Sequence, residues 1–222
     1  MTTDHEALID AWINRGEAEL FRLIADGADI NGRDKWGETL LSKAITLAAP
    51  NLYAPDSQPW LKIITALIDL GADPTLLDDE GMSTLTSAIF EQGDEMLELL
   101  LSRGVDPNRG CGDPWETVYD MAEFDYRYEV YTIGLTGVEA PAWDAQSDED
   151  TWLRQLDQHA EAHGLTRPTL LLLLRRYGAL SGREMARKLG GAAGDPIVWR
   201  DDRWQLRDST CEPDAALWRS RG

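Results

Sequence analysis

The chain has 222 residues, with 40 acidic side chains against 21 Lys and Arg, a formal net charge of −19 and 43% apolar residues. That composition belongs to a folded globular protein rather than a disordered one. So negative a surface repels phosphate backbones, which excludes direct nucleic-acid binding as an expectation and favours a basic protein partner, unless the acidity serves solubility alone. The longest strictly apolar run, Leu170 to Leu174, falls far short of the roughly 20 residues of a spanning helix, so no membrane segment is expected. The start, MTTDHEALID, lacks the basic flank and apolar run of a secretory signal. Cys111 and Cys211 stand far apart without CxxC spacing and read as reduced thiols of a cytoplasmic protein.

In chain order, HEALIDAWINRGEAELFRLIADGADIN predicts two helices that meet at Arg15-Gly16 and end at Gly27, with Leu8, Ala11, Leu20 and Leu23 as apolar positions. His5 reads as an isolated surface residue. DKWGETLLSKAI follows, with Asp34, Gly37, Thr39, Leu41 and Ala44, and then TLAAPNLYAPDSQP, whose three prolines with Asn51 and Ser57 mark a loop. LIDLGADP leads to DDEGMSTLTSAI, with Asp78, Gly81, Leu85 and Ala88. In GDEMLELLLSRGVDPN, Met96, Leu97, Leu99, Leu100 and Leu101 form a helical apolar stripe and Gly104 stands where a helix-ending glycine belongs. Gly27, Gly71 and Gly104 are 44 and 33 residues apart, and an insertion of 11 accounts for the longer interval.

Past Gly104 the pattern splits. ETVYDMA at Glu116 supplies a first helix and TLLLLLRRYGAL at Thr169 a second, with Gly178 following Gly104 by 74 residues. Between them, SDEDTWLRQLDQHAEAHG opens with Ser147 and Asp150 spaced as a capping box and carries Leu153, Leu156 and Ala160 on one face. That stripe rests on the flank of the preceding helices or on a partner. SGREMARKLG repeats the capping-box spacing at Ser181 and Glu184, and IVWRDDRWQL alternates around Asp201-Asp202 as a short hairpin.

These segments resemble the ankyrin family, whose 33-residue unit runs D-x-x-G-x-T-P-L-H-x-A and ends L-L-L-x-x-G-A-D-x-N. The resemblance implies an all-α ankyrin-repeat solenoid of about four helix-turn-helix units over residues 1–190, with insertions at about 46–58 and 130–165 and a C-terminal tail over 191–222. One such unit cannot bury its apolar face alone, so neighbours stack and leave a continuous binding surface. The family's proline and histidine are replaced by Leu40 and Ser42, Thr84 and Thr86, and Val118 and Asp120. Because that histidine ties neighbouring units by hydrogen bonds, the array is expected to be less stable than consensus arrays. Family contacts come from the hairpin tips, which here are Lys35 and Trp36, Asp79 and Glu80, and Pro114 and Trp115, with Phe90 and Glu91 as a second line. Whether Trp36 and Trp115 meet a partner or fold back onto adjacent units, the sequence leaves open.

From Glu116 to Glu161 there are 12 acids and two bases, Arg127 and Arg154. YDMAEFDYRYEVY interleaves aromatics with them, so Glu123, Asp125, Tyr126 and Tyr128 join the candidate contacts for a basic partner. A solvated acidic helix with tyrosines in the core is the other reading. From Arg167 onward bases outnumber acids, 11 to seven, and that end could pair with the acidic insertion in cis. His159 and His163 have i, i+4 spacing but no third ligand, so no metal site is expected. No G-x-S-x-G, phosphate-loop or zinc motif occurs, which makes the expected protein a binder without catalytic residues or cofactor. The expectation is a monomer that neutralises a basic partner such as a toxin, in the manner of an immunity or inhibitor protein. A non-inhibitory adaptor is the alternative.

Overall fold

Apolar residues three and four apart make most of this chain into short amphipathic helices. The computed structural model describes residues 4–48, 58–90, 93–110, 116–133 and 149–207. Glu91, Cys111, Pro114, Trp115, Ser147 and Cys211 lie outside them. Helix α1 (Asp4–Asp10) runs into a wider π turn (Ala11–Arg15), and α2 (Glu17–Ala25) follows Gly16. Then come α3 (Leu40–Ala48), α4 (Gln58–Asp69), α5 (Thr84–Phe90), α6 (Asp94–Ser102), α7 (Val118–Ile133), α8 (Glu149–Ala162), α9 (Thr169–Arg176) and α10 (Gly182–Lys188). A hairpin of β1 (Ile197–Arg200) and β2 (Arg203–Leu206) closes the described chain. Among the described residues no helix is long and apolar enough to cross a membrane.

Helices α2, α4, α6 and α9 stop in the same way. Gly27, Gly71, Gly104 and Gly178 hold φ of +98°, +106°, +90° and +82°, which a Cβ would oppose. The next residue's N–H then turns back to a carbonyl in the last helical turn: Ala28 to Leu23, Ala72 to Leu67, Val105 to Leu100 and Ala179 to Leu174. Helices α1, α3, α5 and α7 contact one another in that order, while α4, α6 and α9 lie against α3, α5 and α7 and against each other. One apolar core threads both rows, from Leu8 through Ile64 and Leu100 to Leu174.

Asparagines tie the ends of α2 and α4, and of α6 and α9, together. The Asn31 side-chain amide donates to the Gly71 carbonyl (3.0 Å) and its oxygen accepts from the Asp73 N–H (2.8 Å). Asn108 does the same with the Gly178 carbonyl (2.9 Å) and the Leu180 N–H (2.8 Å). Asp120, which stands where the resemblance leads one to look for histidine, also ties. Its carboxylate accepts from the Thr117 hydroxyl (2.9 Å) and from the Gly182 N–H (2.8 Å), 62 residues on. Burial pushes that carboxyl above its ordinary value, against the pull of these donors. Asp120 therefore cross-links α7 to the start of α10.

Helix α8 belongs to the core. Trp152, Leu153, Leu156 and Ala160 are fully buried, and α8 lies against α7. Tyr126 of α7 donates its hydroxyl to Asp157 (2.9 Å), which also holds Arg167 at 2.6 Å. His5 departs from the expected surface position. It is buried, with Nδ1 3.1 Å from the Gly32 carbonyl, because α1 sits against the chain that follows α2.

At the C-terminal end, Asp201 and Asp202 take φ of +53° and +58°, the left-handed pair of a tight two-residue hairpin turn. Trp199 faces Trp204 across the strands at 5.4 Å, and Trp204 joins Met185, Ala186 and Ile197 in a second small core. Ser181 caps α10 as its spacing predicts. Its Oγ accepts from the Glu184 N–H (3.3 Å), and the Glu184 carboxylate accepts from the Ser181 N–H (2.8 Å). Ser181→Ala is expected to cost about 1 kcal/mol in urea unfolding. A loss within error would mean that packing by the second core, not the cap, holds α10.

Candidate partner-binding surface

Two turns with the same internal bonding carry the tip residues. Asp34 Oδ1 accepts from the N–H groups of Trp36 (2.7 Å) and Glu38 (3.0 Å), and Asp78 Oδ1 from those of Glu80 (2.9 Å) and Met82 (2.8 Å). Each turn is closed by a further backbone pair, Asp34 N–H to Glu38 O and Asp78 N–H to Met82 O, both 3.0 Å. A short acceptor at the turn's first position thus replaces ladder bonds the tip cannot make.

The two tips touch. The Asp79 N–H donates to the Trp36 carbonyl at 3.2 Å, and a Cβ on Gly37 would lie 2.4 Å from Asp79 Oδ1. Glycine is required at position 37 both by this approach and by its φ of +76°. Trp36 does not fold back onto the neighbouring turn: its side chain is 63% exposed, with the Lys35 ammonium 4.9 Å from its ring centre. Lys35, Asp79 and Glu80 are exposed beside it. The result is an exposed aromatic ring on a backbone held from both sides, beside one cation and two anions. Trp115 of the third expected tip lies outside the described residues.

Helix α7 divides the other candidates. Asp125 and Tyr128 are exposed, and Tyr128 stacks on exposed Phe124 with ring centres 6.1 Å apart. Glu123 and Tyr126, expected at the surface, are buried. Both are corrected here: Tyr119, Ala122, Tyr126 and Val130 recur at three- and four-residue intervals on the core face, and Glu123 borders it, held 3.4 Å from Arg127. Burial, reinforced by the bond to Asp157, pushes the Tyr126 phenol above its ordinary range. Residues 124 and 125 follow 123 directly, so only the helical phase separates contact from core.

His159 and His163 lie ring to ring at 4.8 Å, and His163 Nδ1 is 2.9 Å from the His159 carbonyl. Among the described residues no group of three or more His, Cys, Asp or Glu side chains is placed to hold a metal ion.

Burial pushes the Asp78 carboxyl above its ordinary value of 3.8, its two backbone donors pull it down, and the charges of Glu80 and Glu38 raise it again. A carboxyl that binds its proton more tightly folded than unfolded stabilises the fold in acid, and that contribution is lost as pH rises from the ordinary value through the folded one. Asp78→Asn keeps the accepting oxygen and removes the charge. Its melting temperature relative to the native chain is expected to rise as pH increases above about 4, the ordinary carboxylate value. A difference independent of pH would show that the two N–H donors fully offset the cost of burying the Asp78 charge. Asp78→Ala, which strands two N–H groups, is expected to show the same pH dependence and to be about 1–3 kcal/mol less stable than Asp78→Asn throughout.

No family model matches the chain. A mitochondrial disaggregase of Bos taurus is 35% identical to it over 102 residues, a segment that covers 46% of this chain and 13% of that protein. The chain therefore corresponds to a small part of that relative's length.

Proposed function

We propose that the chain is an ankyrin-type array that binds a basic protein in the cytoplasm and neutralises it, as an immunity or inhibitor protein does. The observation that carries this reading is the joined surface of Lys35, Trp36, Asp79 and Glu80 on two identically bonded turns. A large rigid ring surrounded by charge is the composition of an interface hot spot. The helix-ending glycines, the asparagine ties between α2 and α4 and between α6 and α9, and the two helical rows support the reading of stacked units. The net charge of −19 selects a basic partner by steering its approach. The match to a disaggregase transfers no activity, because it spans only 13% of that protein.

The test is capture of a partner by the tagged chain, identification of what is captured, and measurement of its affinity across a salt series. A neutraliser of a harmful protein is expected to bind one basic protein at nanomolar strength or better, about −12 kcal/mol. Its association rate should fall as salt shortens the screening length below about 10 Å. Purified chain should abolish the partner's own activity. Micromolar binding to several proteins, with their activities intact, would replace inhibition by an adaptor role.

A further inference from the structure

Where α5 and α6 meet α7 and α9, a groove of about 610 Å³ opens. That is the size of a site for a small ligand or a few side chains. Buried Ile89 and Ala122 with half-buried Leu170 provide apolar wall, and Asp94, Asp125 and Glu129 provide carboxylates.

The neighbouring acids are already matched: Glu98 meets Arg176 at 2.5 Å, Glu123 meets Arg127 at 3.4 Å and Asp157 meets Arg167 at 2.6 Å. None of the three groove carboxylates has an ion-pair partner among the described residues. Asp94 opens α6, where the helix dipole favours an acid, and so has a reason to be there. Asp125 and Glu129 have no such reason. They stand i, i+4 apart in the middle of α7, an arrangement of like charges that weakens a helix. Their placement costs the fold stability that a cation in the groove would restore.

We infer that this groove takes a lysine- or arginine-bearing segment of the basic partner, a second contact that shares no residue with the tips. The apolar wall suits the methylene stem and the three carboxylates suit the charged head. The inference rests on the proposed function only in taking that partner to be a basic protein.

The test is titration of the full chain, followed by amide NMR shifts, with a short peptide of alternating lysine and glycine and separately with spermidine. The peptide is expected to move amides around Asp94, Asp125, Glu129 and Leu170. Its affinity should drop about tenfold in the Asp125→Asn, Glu129→Gln double variant, while Asp79→Asn, Glu80→Gln leaves those shifts in place. Glu129→Lys, which supplies the cation in cis at an exposed position, should block the peptide while raising the melting temperature. Shifts elsewhere, or an affinity indifferent to the groove variants, would overturn the assignment. Spermidine binding as tightly as the peptide would also overturn it, by making the groove a small-cation site. If the groove variants fail to affect capture of the partner and the tip variants abolish it, the groove is wrong and the proposed function stands. If neither set affects capture, both fall.

Discussion

Trp152→Ala is expected to cost about 3–5 kcal/mol of unfolding free energy, the toll of emptying a large core position. Trp152 is fully buried and is among the largest buried side chains of the protein. A domain of this size is held by only about 5–15 kcal/mol, so the variant should melt many degrees lower or populate partly unfolded chain at ambient temperature. Circular dichroism and urea unfolding read this directly. The loss matters because Trp152 sits on α8, which packs against α7 and belongs to the main core. A cost below about 1 kcal/mol would mean that α8 is an attachment, free to serve as a contact element. The expected cost means that α8 completes the core rather than decorating it. For the same reason, excising this helix cannot test partner binding: it would remove Trp152, Leu153, Leu156 and Ala160 from the core together.

Trp36→Ala is expected to weaken binding of the captured partner by about 2 kcal/mol or more, roughly thirtyfold, while leaving the melting temperature unchanged. The asymmetry follows from its position. The ring is 63% exposed and contributes little to the fold, yet its backbone is held by Asp34 and by Asp79, so little entropy is lost on ordering it against a partner. Trp36→Phe should recover part of the affinity. Equal affinity for Trp36→Ala and the native chain would remove the tip row from the binding surface and shift the weight to α7. A fall in melting temperature comparable with the affinity loss would instead make Trp36 a structural residue.

Much of the framework was legible in the residues because it depends on local chemistry. The positions of Gly27, Gly71, Gly104 and Gly178 mark helix ends, since only a residue without Cβ reaches that backbone region at little cost. Ser181 with Glu184 announces α10 through bonds within one turn, and Asp201-Asp202 announces the hairpin through its alternating flanks. Trp36 and Asp79 were identifiable as tip residues by their offset from Gly37 and Gly81. That the two tips bond to each other was not, because the contact joins positions 43 residues apart.

The candidate surface on α7 was legible only as a mixture. Composition marked the segment as acidic and aromatic, and the helical phase then decided which of Glu123, Asp125, Tyr126 and Tyr128 meets water. That phase is set by what α7 packs against, namely α5, α8 and α9. The sequence by itself determined helix ends, caps, turn acceptors, the charge and the predominantly helical class, all of which act over a few residues or over the whole composition. Only the tertiary structure decided that α8 is core, that His5, Glu123 and Tyr126 are buried, that Asp120 reaches Gly182, and that Asp94 meets Asp125 and Glu129 around one groove. Each of these depends on packing between segments far apart in the chain, where a side chain's surroundings are supplied by residues that its own neighbours do not specify.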